Sequence, residues 1–581
     1  MLLAASLLAR LALASPVAAP ATAPEAVAAQ RATIESALTA ELVRTKSLHL
    51  ADTPGPYAVL YDVLDGTVAT TFAEFGAPVT DDRQNYRTLR VEVRVGDYAL
   101  DSSNFNGFGI PEAVTSRTLP DGSYPVAPTD GLAIQREAWL ATDSAYKSAV
   151  QLLARKQAAL NGDKTPRADD WTRTTPVDYP LEKLPVSAPA DGDRVRDLAM
   201  HLSAELAKFP ALELGQAVTR DWQGARLVLT SEGTRAWRPT GYTVMRVEGT
   251  VRLPDGSEVT DSRSWVVRRP SDLPPEASMI ADVRQMATWL SALPTAKKED
   301  DYLGPVLFEA PAAVEMMSQL LSSELVGTPP AIEDGDQSFT TGHVASSRIG
   351  RRLLPTGWTM EDDVEDAPEP VRYDIDQEGV APKRVELVKD GVLTDTLMSR
   401  IPSKDRKAST GHGRSLGNAR RGGMPGNVIV TPEKTLSKKA LERQALHLAA
   451  ETGHDYVLVI GALQPPPLNA KIDIAVTGEN QLAGLTPPYE AWRLYADGHT
   501  EPVQALNFSG VDRRVLRDVA AAGASTGVTL LDGPPGAQRF SIGSTGGIPV
   551  RWTAPAVLVT EMELSGGSGG EPRALKVRTT P

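Results

Sequence analysis

Leu89, Val91, Val93 and Val95 fall at every second position in the run from Tyr86 to Val95, with Arg or Glu between them. A period of two is the mark of a β-strand with one apolar face, because successive side chains on a strand point to opposite sides. Such a strand needs hydrogen-bonded neighbours and a cover for its apolar face, which commits the chain to a fold built around a sheet. Other strand-like runs lie at Tyr57 to Asp62 and Thr67 to Phe75, and again at Ala225 to Thr230, Thr240 to Arg252 and Glu258 to Val267. The last three are separated by the turn signals Ser231-Glu232-Gly233 and Pro254-Asp255-Gly256, and read as an antiparallel meander.

Helical spacing fills the intervals. Ile34, Leu38 and Leu42 predict an amphipathic helix from about Ala26 to Lys46, and Trp139, Tyr146, Val150 and Leu153 predict one from Leu132 to Ala159. Further helices are expected over Arg194 to Lys208 and Glu276 to Ala292. Residues 161–193, rich in Pro, Asp and Thr, read as an extended connector on the surface. With 41% hydrophobic and 23% charged residues, the composition is that of ordinary globular protein.

The second half reads as strand, turn, strand, turn, strand over Tyr373 to Gly379, Lys383 to Val388 and Gly391 to Leu393, with Lys389-Asp390-Gly391 as a hairpin cue. The fold class expected is α+β: an N-terminal α/β portion, a middle antiparallel meander and a large antiparallel C-terminal sheet. The expected division is residues 1–25 as signal peptide and Pro/Ala spacer, 26–270 as an N-terminal and middle α/β domain, 271–564 as a C-terminal domain, and 565–581 as a Gly/Ser-rich flexible tail.

A net charge of −13 disfavours binding of nucleic-acid phosphates by the molecule as a whole. The chain has no cysteine, which removes disulfides, thiol nucleophiles and thiolate metal ligands. No internal stretch approaches about 20 apolar residues, so no membrane span is expected in the mature chain. Met1 to Ala19 is apolar and small enough for a secretory segment, although no basic residue precedes it and Arg10 interrupts it. Export to the periplasm or medium is expected, with a cytoplasmic location as the alternative.

Candidate chemistry centres on Gly304 to Met317, where the apolar run Val306 to Phe308 leads into Glu309 and then a helix expected over Ala312 to Leu325. Glu309 reads either as a general base or as a residue at the helix start beside Pro311. Met316, Met317, Leu320 and Leu321 form a stripe suited to a core or a subunit contact. The seven histidines, His49, His201, His343, His412, His447, His454 and His499, include no pair four apart with a glutamate between them. Asp374, Asp376 and Glu378 alternate, which on a strand would place three carboxylates on one face. That set reads as a solvated face, the acidic wall of a peptide site, or a divalent-ion site. The basic run Lys404 to Arg421 has no interleaved aromatic residues for base stacking, so it reads as a surface hairpin or as a loop holding acidic or C-terminal groups of a peptide. No Gly-x-Ser-x-Gly elbow or phosphate-binding glycine loop is present.

Several of these segments, in this order, resemble the TldD/PmbA metallopeptidase family. Asp376, Glu378, Gly379, Leu387, Gly391 and Leu393 fit its pattern D-x-E-G, seven residues, L-x-x-x-G-x-L. Thr230-Ser231-Glu232-Gly233 is similar to a turn Asn-Ser-Glu-Gly of relatives. Arg414 to Arg421 and Met424 to Asn427 resemble the family's glycine/arginine loop and the strand that follows it. In catalytic members a strand feeds a zinc-binding helix bearing His-Glu-x-x-x-His. Set against that motif, Phe308 stands at the first histidine, Glu309 at the glutamate and Ala313 at the second histidine. The resemblance therefore implies the PmbA/TldE type, which has the fold without the zinc motif. It also implies a function in peptide processing, with Glu309 at the family's catalytic glutamate position and Asp376, Glu378 and Gly379 at a peptide-binding segment. No metal is expected in this chain, zinc being supplied by a TldD-like sibling in a two-subunit chamber. A homodimer, or a stand-alone peptide-binding or scaffolding protein without catalysis, is the alternative.

Overall fold

The computed structural model describes residues 24–50, 52–107, 109–119, 130–161, 167–186, 188–334, 349–415, 419–463, 485–532 and 547–566. The expected signal segment and nearly all of the expected tail lie outside the described residues. Six α-helices occur among the described residues: α1 Pro24–Thr45, α2 Gly131–Ala159, α3 Gly192–Leu206, α4 Glu276–Ala292, α5 Ala310–Leu321 and α6 Lys438–Glu451.

The first sheet runs, from edge to edge, through Val114–Thr118, Ala77–Val95, Pro56–Glu74, Leu212–Thr230, Arg235–Arg252 and Glu258–Val267, all antiparallel, with Asp178–Tyr179 added in parallel to Arg235–Arg252. The two runs expected at 57–62 and 67–75 are one strand. Its centre crosses its neighbour at Gly66 and Gly224, where a Cβ on Gly66 would lie 2.3 Å from the Gln223 carbonyl oxygen. Gly66 thus permits a close backbone approach rather than a turn. The reversal comes at Phe75 and Gly76, with φ of 48° and 92°, as a tight hairpin of twisted strands requires.

Helices α1 and α2 cover one stretch of this sheet, with Ile34, Leu38, Ala138 and Leu152 packed among Val91, Val93 and Leu227. Helices α3 and α4 cover another, with Leu202, Leu206, Met279 and Val283 among Ala217, Met245 and Val247. This second core runs to Leu293, past the 270/271 division read from the sequence. The meander and the N-terminal strands share a single sheet.

The second sheet has eleven strands around the long strand Ile548–Gly566. That strand pairs in parallel with Asn427–Thr431 and antiparallel with Tyr302–Phe308, Val519–Asp532 and Leu506–Ser509. Tyr302–Phe308 in turn pairs in parallel with Tyr456–Leu463. The C-terminal sheet is thus mixed, where an antiparallel one was expected. Helix α5 carries Met316, Met317, Leu320 and Leu321 into the core beside Phe308, Trp552 and Val557. Helix α6 packs Leu441, Ala445 and Ala449 in a separate cluster with Leu307, Val457 and Leu558. Asp390 and Gly391, at φ of 50° and 75°, turn the hairpin between Val385–Lys389 and Val392–Leu393 as expected. No helix among the described residues is long and apolar enough to cross a membrane.

Candidate functional site

At the strand-to-helix junction Phe308 is fully buried and stacks on Phe508 at 6.1 Å, and Ala313 is fully buried in the same core. Glu309 is the N-cap of α5 and accepts from the Ala313 amide through its own carbonyl, with Pro311 in the first turn. Its side chain makes no cap bond and instead reaches Lys438 of α6 at 2.8 Å, in a partly exposed pair. Zinc activation of water needs about three protein ligands. The residues here offer one carboxylate already paired with an ammonium, so they do not fit the ion. No group of three or more His, Asp or Glu side chains that could hold a metal occurs among the described residues. His447 faces Glu451 at 3.6 Å, His454 meets the Leu303 carbonyl at 2.9 Å, and His343 lies outside the described residues.

The segment 373–379 is a turn, not the strand that the alternation of its acids predicted. Asp376 folds it: one carboxylate oxygen accepts the Glu378 and Val380 amides, both at 2.9 Å, and the other accepts the Gly413 amide at 2.8 Å. Gly379 takes the positive φ of 79° that closes the turn. Asp374 consequently points outward, 3.4 Å from Arg238, while Asp376 and Glu378 are buried, so the three carboxylates do not share a face. Burial, and then the neighbouring Glu378 carboxylate, push the Asp376 carboxyl up to about 7.

Glu378 ties this turn to the rest of the molecule by accepting the Arg400 amide at 2.6 Å. The fully buried Arg400 guanidinium then grips both oxygens of Glu232 at 2.7 and 2.8 Å. Glu232 belongs to the turn Thr230–Gly233 of the first sheet. Trp171 lies against two guanidiniums, those of Arg400 at 3.4 Å and Arg94 at 4.3 Å. The alternating Arg90, Glu92 and Arg94 are buried too, because the second half of the chain covers them. Arg421 reaches Glu92 at 2.5 Å and Asp62 at 3.1 Å, and Arg420 reaches Asn104 at 2.7 Å. Burial alone would raise the Glu92 carboxyl; the guanidiniums of Arg94, Arg421 and Arg90 overcome it and hold it well below the carboxylate range. Arg420 and Arg421 of the basic loop are therefore seam residues between the two sheets and not part of a surface hairpin, whereas Arg406 is partly exposed beside Asp395.

Beside this seam lies a cavity of about 420 Å³. Arg220, Trp222 and Arg226 line it from the first sheet, and Tyr373, Asp376 and Arg414 from the second half. Arg238, Arg268 and Arg372 also line it, so six arginines and two acids, Asp376 and Glu369, lie along its wall, with Arg226 paired to Asp62 at 2.9 Å and Arg238 to Asp374 at 3.4 Å. Of the peptide-binding residues expected from the sequence, Asp376 lines this cavity and Glu378 and Gly379 are not among its lining residues. Glu232 as the partner of Arg400, and the arginines of the first sheet, have no local signal that marks them.

Residues 302–476 match the family described as the PmbA/TldA metallopeptidase C-terminal domain. No curated protein matches the sequence. Among solved structures the chain is similar to TldE from Thermococcus kodakarensis, at 13% identity and a TM-score of 0.57, over 91% of this chain and 100% of that one. It is also similar to a candidate modulator of DNA gyrase from Thermotoga maritima, at 14% identity and a TM-score of 0.56, over 91% and 99% of the two chains. A third, a candidate DNA gyrase modulator from Bacteroides thetaiotaomicron, has 12% identity and a TM-score of 0.55, over 92% and 98%. These likenesses establish the fold, and the family match shows that residues 302–476 are similar to the PmbA/TldA metallopeptidase C-terminal domain.

Proposed function

We propose that this protein is a zinc-free, TldE-like subunit that pairs with a zinc-bearing relative and helps it bind and process unfolded peptides. The observation that carries this reading is the α5 junction, where the motif's two histidine positions are the buried Phe308 and Ala313 and its glutamate is paired with Lys438. A lone carboxylate without a metal has no activated water to deprotonate. The chain would then contribute shape and binding surface, and the relative the chemistry. Main-chain pairing of an extended peptide with a sheet edge accepts many sequences, which suits unfolded substrates. Export is part of the proposal and rests on the apolar stretch Met1 to Ala19, so the relative must be exported with it.

The test is hydrolysis of an unfolded casein fragment by the chain, by its zinc-bearing relative, and by their mixture. The mixture is expected to cleave and each protein alone to be inactive. Full activity of the relative without this chain would overturn the pairing, and hydrolysis by this chain alone would overturn the zinc-free role.

A further inference from the structure

The cavity beside the seam can donate hydrogen bonds but has little left to accept them with. Arg414 lines it and is 5% exposed. One of its terminal nitrogens faces the carbonyls of Pro425 and Met424, and its guanidinium carbon lies 4.9 Å from the Tyr373 ring centroid. Its Nε has no hydrogen-bond partner, and no ion pair joins Arg414 to a carboxylate among the described residues. Trp222, 8% exposed, lines the same cavity with its indole N–H unpartnered. The Nε of Arg238 makes no hydrogen bond and is ion-paired with Asp374 at 3.4 Å, while a terminal nitrogen donates to the Trp237 carbonyl at 3.2 Å and the guanidinium lies over the Tyr179 ring. On the acceptor side Asp376 already takes three backbone amides, and Glu369, mostly exposed, lies 3.9 Å from Arg268.

The seam next to it shows what a balanced arrangement looks like in this fold. There Arg94, Arg400 and Arg421 each meet carboxylates at 3.1 Å or less. A buried guanidinium without such a partner is unfavourable, and buried donors require acceptors. The acceptor that fits a guanidinium fork is a planar carboxylate with two oxygens side by side. The rings of Trp222, Tyr242 and Tyr373 supply apolar wall for the carbon stem behind it. A volume of about 420 Å³ lies within the range of clefts that enclose small ligands.

We propose that this cavity is a carboxylate-binding subsite that seats the acidic group of a peptide, either its C-terminus or an Asp or Glu side chain. The proposal rests on the peptide-binding reading above and names the class of peptide that reading leaves open. Arg414 and Arg238 hold the carboxylate, and the indole N–H of Trp222 donates to it.

The experiment uses the full chain and fluorescence polarisation with labelled hexapeptides of one neutral sequence: free at the C-terminus, amidated, and amidated with two internal glutamates. A free C-terminus or the glutamates are expected to tighten binding at least tenfold over the neutral amide, and which of them does so identifies the source of the carboxylate. Arg414→Gln is expected to abolish that difference. Because Arg414 also braces the Pro425 carbonyl, Arg238→Gln is measured beside it, with thermal unfolding of both as the control for folding. Equal binding of all three peptides would overturn the subsite and leave peptide binding standing. Binding of inorganic phosphate with no binding of any peptide would overturn both. An undiminished preference in a folded Arg238→Gln and Arg414→Gln would place the carboxylate elsewhere and sink the assignment.

Discussion

Arg400 and Glu232 hold the two halves of the molecule together through a bidentate pair at 2.7 and 2.8 Å, with the guanidinium fully buried over Trp171. Glu232 lies in a turn of the first sheet, and the Arg400 amide is bound to Glu378 of the second half. Removing one partner of such a pair leaves the other charge buried and unpaired. Arg400→Ala is expected to lower stability by about 3–5 kcal/mol. Arg400→Lys should fall between it and the native protein, since an ammonium cannot reproduce the planar fork. Urea denaturation measures both, and an Arg400→Ala loss below about 1 kcal/mol would contradict the account.

The Glu309–Lys438 pair differs in kind, because both side chains reach solvent, with 35% and 75% of their surfaces exposed. Glu309→Gln is expected to change stability by less than about 1 kcal/mol. In the mixture with a zinc-bearing relative it should leave peptide hydrolysis within about twofold of native, which is about 0.4 kcal/mol in barrier. A collapse of activity in that mixture would restore Glu309 to the chemistry.

The Asp376 carboxyl gives a pH signature. Its folded value is raised from 3.8 to about 7, first by burial and then by Glu378. Between those values the folded state keeps a proton that the unfolded chain has lost, so this group's contribution to stability falls as pH rises from about 4 to about 7 and is fully lost above that. Glu378→Gln removes the second cause while keeping an oxygen for the Arg400 amide, and should weaken this dependence. Urea midpoints of the native protein and the variant, compared across pH 4 to 8, test it. An identical dependence in both would show that Glu378 has no part in raising Asp376.

Restoring the zinc motif by the double change Phe308→His and Ala313→His should not restore a zinc site. Phe308 is wholly enclosed and stacks on Phe508, so a histidine there leaves a void and buries polar nitrogens. The loss should be about 3–5 kcal/mol, as for large truncations in cores. Calorimetric titration with zinc checks the other half of the expectation, and stoichiometric binding in a folded double variant would show the junction to be more adaptable than its packing implies.

Elements with a strong local period were legible in the sequence. Met279, Val283, Met286 and Leu290 recur at helical spacing, and α4 occupies the residues expected of it. The hairpin at Asp390-Gly391 was equally plain. The acids from Asp374 to Glu378 misled because a carboxylate that caps its own turn can imitate strand alternation. The cover over Arg90, Glu92 and Arg94 was invisible for a different reason: it is made by Arg421 and its neighbours, more than 300 residues away, and no local pattern carries that pairing. The cavity shares this origin, since Trp222 and Arg414 belong to different halves of the chain.

The central claim, a zinc-free subunit that acts through a zinc-bearing partner, is tested most directly by native mass spectrometry of the protein purified from its own cells. The account predicts a heteromer containing this chain and a relative with an intact His-Glu-x-x-x-His motif, with zinc retained by the relative after the two are separated. A metal-free monomer or homo-oligomer, or zinc remaining with this chain after separation, would contradict it.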